Sequence, residues 1–200
     1  MDPRVTELHC IMPIGNVPSV MTHGLLSYER AAKLSHASVA MAEVQERRDT
    51  KQVPNGLRLH QYANLYFHAR NPMLFKRKDQ AATLCVLCVS VAVLDMPGVV
   101  ITEQNAASDY ARFLAPSQAA QAIQAGILDF DAIFARDWTH ADRITYLRRK
   151  ARKCAEVLVP HGVPWSMIQD ARVVDATAAA TLRGCGFDRP VIIDPDLFFH

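Results

Sequence analysis

"LYFHARNPMLFKRK", residues Leu65–Lys78, joins two kinds of local structure in one short stretch. Its first half alternates, so a strand puts Leu65, Phe67 and Ala69 on one face and Tyr66, His68 and Arg70 on the other. One face reads as core and the other as polar. Asn71 then offers a side-chain oxygen to cap a helix, and Pro72 fits the first helical position, where no N–H is needed. The stretch therefore predicts a strand that passes directly into a capped helix.

Working outward, Pro54, Asn55 and Gly56 form a turn before this strand. Further strands are predicted over Leu8–Met12, Thr83–Leu94, Val99–Thr102 and Ala155–Val159. One helix runs from a cap at Asn16 to a stop at Gly24, and a second from about Ser35 to Arg48. Between Ala106 and Arg149, helix formers with apolar spacing near three and four are broken at Pro116 and Gly126. The tail reads strand, helix, strand, with Asp175 as cap and Gly184 or Gly186 as stop. Strands at both ends flanking a helical middle predict an α+β fold rather than a βαβ alternation. The "GCG" near the end lacks the strand before it and the third glycine after it, so no Rossmann fingerprint is present.

The chain has 200 residues, half of them hydrophobic, with eight glycines and eleven prolines, enough to bury a core in a single domain over residues 1–200. A net charge of +2 is too small to argue for nucleic acid, so the placement of the cations has to carry that question. The N-terminus has no apolar run of a secretory signal, and Ala81–Leu94 is too short to span a bilayer, which predicts a cytoplasmic protein without membrane contact. Five cysteines then read as reduced thiols. Cys85 and Cys88 form a C-x-x-C, but in a strand they project to opposite faces and cannot grip one ion. The eight histidines show no ligand spacing either, so no metal is expected. Cap and turn chemistry accounts for Asp194 and Asp196.

Glu156 sits inside the otherwise apolar "CAEVLVP". Burying an unpaired charge costs several kcal/mol, on the order of a whole domain's margin, so this carboxylate faces a partner, a cleft or a ligand, or else lies on a solvated strand end. Just before it, Arg143–Lys153 holds six basic residues and no acidic one, which is either a solvated helix face or a phosphate-binding surface. Arg47 and Arg48 end the second helix, where the dipole favours cations and where a guanidinium can also grip a phosphate.

Taken together, "NVPSVMTHGLL", the arginine of "RRDTKQVP", "LHQYANLYFHARNPML", "ITEQNAAS", "DFDAIFARDW" and "KCAEVLVP" resemble, in order, the DarT family of DNA ADP-ribosyltransferase toxins. The resemblance implies a split β-sheet core of the ADP-ribosyltransferase type, with NAD as substrate in the cleft and single-stranded DNA as acceptor. It further implies an antitoxin partner that removes ADP-ribose, a macrodomain or another hydrolase. Glu156 and Arg48 take the catalytic positions; His9, Asn16, Arg48, Tyr66 and Phe67 the NAD-binding ones; Arg148, Arg149, Lys150, Arg152 and Lys153 the DNA-presenting loop. Arg70 and the cations of "KRK" are further candidates for DNA. The chain departs from the family pattern at Pro13, which replaces a second histidine and leaves His9 displaced by one residue, and at Asn105-Ala106, where some members have His-Ala. Two other readings use the same residues: a non-catalytic single-strand-binding module built on the basic run with Tyr66 and Phe67, and a metal-independent ribonuclease toxin. Glu156 is the residue neither of them explains.

Overall fold

The structure, a computed structural model describing residues 1–199, is organised around a sheet of eight strands. The strands of the chain are β1 (Glu7–Pro13), β2 (Leu25–Leu26), β3 (Tyr62–Tyr66), β4 (Leu84–Ser90), β5 (Val100–Thr102), β6 (Phe113–Leu114), β7 (Glu156–Pro160), β8 (Gly162–Val163), β9 (Ile168–Val173) and β10 (Val191–Ile193). The helices are α1 (Val17–His23), α2 (Tyr28–Ala31), α3 (Ala42–Asp49), α4 (Pro72–Phe75), α5 (Ala119–Gln124), α6 (Phe130–Phe134), α7 (Arg143–Arg152) and α8 (Ala176–Gly184). The large sheet runs β10-β9-β4-β1-β3-β7-β5-β6, antiparallel throughout except for β9 with β10, while β2 and β8 pair separately. This is the expected mixture of strands at both ends and helices between them.

The strand β4 is apolar on both faces because both are covered. Cys85 belongs to the main core, whereas Cys88 pairs with His9 on the opposite face, the divergence that a three-residue spacing in a strand requires. Leu8, Leu65, Leu87, Val157 and Ala171 bring the main core to one face of the sheet, against α1, α5, α6 and α8. The other face carries two smaller clusters, one around Ile11, Tyr66, Leu74 and Phe198 and one around Tyr62, Leu59 and Leu158. Gly24, at φ +77°, ends α1 where a Cβ would meet the Val163 carbonyl at 2.3 Å, so glycine lets that helix close onto β8.

One join in the sheet is weak. β1 pairs with β4 along its whole length but with β3 only at His9 and Tyr66. The sheet is split there, as expected for the class. Across the join, Asp170 pairs with Cys88, Cys88 with His9, His9 with Tyr66, Tyr66 with Glu156 and Glu156 with Thr102. Directly opposed residues share a face, so these side chains form one transverse row with Glu156 in it.

Several boundaries differ from those the sequence predicts. The helix expected from about Ser35 begins only at Ala42. The preceding segment is instead held by side chains from elsewhere: Asn16 bonds Ala37 through both its amide groups, and Arg77 donates to the Val39 and Ala40 carbonyls. Asn16 therefore spends its amide on this strap and does not cap α1 with its side chain. The strand expected to reach Leu94 ends at Ser90, whose hydroxyl accepts from the Ala92 N–H and turns the chain into a 3-10 helix. The helical middle is reduced to α5, α6 and α7 with β6 before them, because "DYARFLAPSQ" carries Pro116 and no long apolar face. In the quoted stretch, β3 stops at Tyr66, yet Phe67 and Ala69 are fully buried; the alternation reports burial beyond the strand itself. Asn71 caps α4 as predicted, accepting from the Met73 and Leu74 N–H groups at 3.0 and 3.1 Å.

Candidate active site

A cleft of about 540 Å³ opens beside the split, lined from the sheet by Cys10, Ile11, Asn64, Tyr66 and Glu156. Its walls come from residues 39–41, from α3 with Arg47 and Arg48, from Met73 of α4 and Lys76 just after it, and from the loop holding Asn105 to Tyr110. Lys150 and Cys154 close the side where α7 leads into β7. A second hollow of about 160 Å³, lined by Asn16, Leu25, Leu34 and His36, shares Cys10 and Asn64 with it. The two hollows adjoin along that shared wall.

At its floor, Arg48 Nη1 donates to Glu156 Oε2 at 3.0 Å, with both side chains buried. Arg48 Nη2 and Glu156 Oε1 have no hydrogen-bond partner among the described residues, although the Ala106 N–H, without completing a hydrogen bond, favours the ionised form of the carboxylate. Burial pushes the Glu156 carboxyl above its ordinary range, against the pull of the Arg48 guanidinium. The sequence cue behind Glu156 was thus sound in physical terms: the carboxylate is both partnered and turned toward a cleft. The Tyr66 hydroxyl lies in the same row, and burial and the Glu156 charge hold its phenol well above the usual range, so it stays protonated.

Other candidate residues lie elsewhere. His9 is buried one position along the row from Tyr66 and contacts Glu7 at 3.1 Å rather than lining the cleft. Phe67 is a core residue, its ring edge-on to Phe130, so it frames the site from behind rather than touching a ligand. Asn16 reaches the smaller hollow.

The basic run divides. Lys150 lines the cleft, Arg148 and Arg149 are exposed on α7, and Arg152 is ion-paired with Asp129. Lys153 is buried, donating to the Ile133 and Ala135 carbonyls at 2.8 and 2.7 Å beside His68. It cannot meet a phosphate from there. Lys153 is the C-cap residue of α7, where the chain turns inward toward β7 and carries the side chain away from the surface. Arg70 is also committed, donating to the carbonyls of Arg136, Asp196, Leu197 and Phe198 and lying 4.1 Å from the Phe199 ring centre. Of "KRK", Lys76 lines the cleft.

Glu7, His9 and Cys88 bring three ligand-type atoms within 4.8 Å of one another. Arg172 is already ion-paired with Glu7 and with Asp194 at that spot, so a cation would have to displace a guanidinium. The group reads as a buried ionic knot on the row. Cleft residues that the sequence did not single out, including Val39 to Met41, Ser108 and Tyr110, lie in loops without periodicity, where no pattern marks them.

A split sheet and a buried guanidinium–carboxylate pair at a cleft floor fit what the resemblance to ADP-ribosyltransferases implies. The sequence profile of the family described as "DarT: ssDNA thymidine ADP-ribosyltransferase, DarT" matches residues 9–199, and the chain belongs to that family. It is 31% identical over 209 residues to a DNA ADP-ribosyl transferase–DNA ADP-ribosyl glycohydrolase fusion protein of Thermosipho africanus, an alignment that takes in 100% of this chain and 51% of the relative. The chain thus spans about half of that relative's length. Among solved structures it resembles Thermus sp. 2.9 DarT in complex with ADP-ribosylated ssDNA, at 27% identity and a TM-score of 0.81, covering 98% of each chain. The same Thermus protein in complex with carba-NAD+ gives 25% identity and a TM-score of 0.78, covering 98% of this chain and 100% of the other.

Proposed function

We propose that residues 1–200 form a single transferase domain that moves ADP-ribose from NAD to a base of single-stranded DNA. The observation that carries this reading is the Arg48–Glu156 pair, buried yet facing the cleft with one polar atom on each side left unpartnered. A module that only binds nucleic acid has no use for such a carboxylate. Relatives bound to carba-NAD+ and to ADP-ribosylated ssDNA support the substrates.

The adjoining hollows suit a dinucleotide, with the smaller one for one end and the Glu156 compartment for the reacting ribose. As the bond to nicotinamide breaks, its electron pair leaves with the ring and positive charge builds on the ribose. The Glu156 carboxylate, buried at the cleft floor and fixed by Arg48, stabilises that charge without reorganising. Arg48 pulls against burial in favour of the ionised carboxylate and holds it in place through their 3.0 Å hydrogen bond. A ring nitrogen of the base supplies the pair for the new bond, and its proton passes to a base such as Glu156. Single strands are the natural acceptor because ring nitrogens in a duplex are paired and stacked. The family description names thymidine, which makes thymine the first base to test.

The setting is that of a toxin, acting in the cytoplasm in a toxin–antitoxin or phage-defence system, with a DNA ADP-ribosyl glycohydrolase as counterpart. The Thermosipho fusion, which joins the two activities, supports this pairing. No helix among the described residues is long and apolar enough to cross a membrane. The test is incubation with NAD and single-stranded oligonucleotides of defined composition, read by mass spectrometry. A NAD-dependent gain of one ADP-ribose, absent with Glu156→Gln, is expected. No gain on any base composition would overturn the assignment.

A further inference from the structure

Tyr110 stands out from the rest of the cleft by its exposure. Its side chain is 85% exposed, although it lines the same cleft whose floor holds the wholly buried Glu156. Single exposed apolar residues are ordinary on a protein surface, so exposure alone says nothing. What distinguishes Tyr110 is the loop that carries it. Lys51 donates to the Ala107 carbonyl at 2.7 Å and ion-pairs with Asp109 at 2.7 Å. Asn105 accepts from the Ala107 N–H at 2.8 Å, Ser108 accepts from the N–H of Tyr110 itself at 3.2 Å, and Glu103 accepts from the Arg112 N–H at 2.9 Å. The backbone is pinned on both sides of a ring left in solvent.

Resting on the reading of the site as a single-strand DNA transferase, we propose that Tyr110 is a stacking platform for the base next to the acceptor, with Lys150 holding the phosphate between them. The ring is at the rim and the carboxylate at the floor, so the acceptor base descends while its neighbour stays outside. A flat aromatic surface receives any base, and pre-pinning the loop lowers the ordering cost of binding. Arg47, Lys76 and Lys150 line the same cleft, and none is in a salt bridge among the described residues. Tyr110 therefore sets affinity for the strand rather than the identity of the modified base.

Steady-state transfer to a single-stranded oligonucleotide tests this. Base–aromatic stacking corresponds to roughly 5- to 150-fold in binding, so Tyr110→Ala raises KM for the strand by that factor with kcat largely kept. Tyr110→Phe restores wild-type KM; Tyr110→Leu, apolar but without a π face, does not. An abasic residue moved along the oligonucleotide locates the partner. In the wild type one position beside the acceptor raises KM, and in Tyr110→Ala that same position has no further effect. An unchanged KM in Tyr110→Ala, or equal abasic penalties in both proteins, overturns the proposal while leaving DNA transfer intact. Absence of transfer in the wild type sinks the transferase reading as well. Equal urea midpoints for all variants confirm that folding is not what changed.

Discussion

Replacing the buried pair at the cleft floor one residue at a time and then together should give opposite results. Arg48 and Glu156 have side-chain exposures of 5% and 0% and share a single 3.0 Å hydrogen bond, with the remaining Nη2 and Oε1 unpartnered. Removing one partner strands the other charge, which typically costs about 3–5 kcal/mol. Because the pair borders a cleft rather than a dry core, the lower end, about 3 kcal/mol, is expected for Arg48→Met or Glu156→Leu. With a urea m-value of about 2–3 kcal/mol/M, each midpoint falls by roughly 1–1.5 M. In the double variant two desolvation costs vanish together, and it should equal the wild type or exceed it by ~1–4 kcal/mol. The coupling in the cycle is then at least about 6 kcal/mol, the sum of the two single losses. Urea unfolding of all four proteins, followed by circular dichroism at constant pH, measures it. If the double variant loses the sum of the single losses, the two side chains are energetically independent and the reasoning fails. All three variants should be inactive whatever their stability, which would separate what the pair does for catalysis from what it does for the fold.

Three further outcomes follow from other side chains. Burial and the neighbouring Lys153 hold His68 down at about 3, so it is neutral in the fold while the unfolded chain takes up a proton below its ordinary 6.5. Its share of stability is present above pH 6.5 and lost as pH falls toward 3, at about 1.4 kcal/mol per unit; His68→Gln, which keeps an acceptor for Lys153, should flatten the fall in urea midpoint between pH 6.5 and 4.5. Lys150→Gln should lower the slope of log affinity for single-stranded DNA against log salt by about 0.7, whereas Lys153→Gln leaves that slope unchanged and costs roughly 2–4 kcal/mol of stability by stranding two carbonyls. Asn71→Ala removes the cap that holds α4 against the cleft and should cost about 1–2 kcal/mol in a thermal or urea melt, since the N–H groups of Met73 and Leu74 lose their acceptor.

What the sequence disclosed and what it withheld have separate physical causes. Glu156 was legible because a charge in an apolar strand is a contradiction that a partner or a cleft resolves; the helix end offered Arg47 and Arg48 alike, and only the family resemblance separated them. The strands β1, β4 and β7 were legible from β-branched and apolar runs. Lys153 was not, because a run of cations looks uniform in one dimension while a helix end turns each member in a different direction. The alternation already put Phe67 on the core face, where the structure has it; its place in the cleft came only with the family resemblance, as a flat ring to meet a ligand. The start of α3 was missed because the strap before it is held by Asn16 and Arg77, contacts across 21 and 38 residues that no local pattern encodes.

The single pair joining β1 to β3 also bears on how this molecule comes apart. One side of the split holds β10, β9, β4 and β1, and the other β3, β7, β5 and β6, so the chain crosses the gap from β1 to β3, back to β4, over again to β5 and back once more to β9. Neither half is a continuous segment, and neither can be made by cutting the chain once. The two walls of the cleft are interwoven by their connections, although only one residue pair joins them in the sheet. Native-state hydrogen exchange should therefore find β1, β3, β4 and β7 opening as one cooperative unit rather than as two independent leaves.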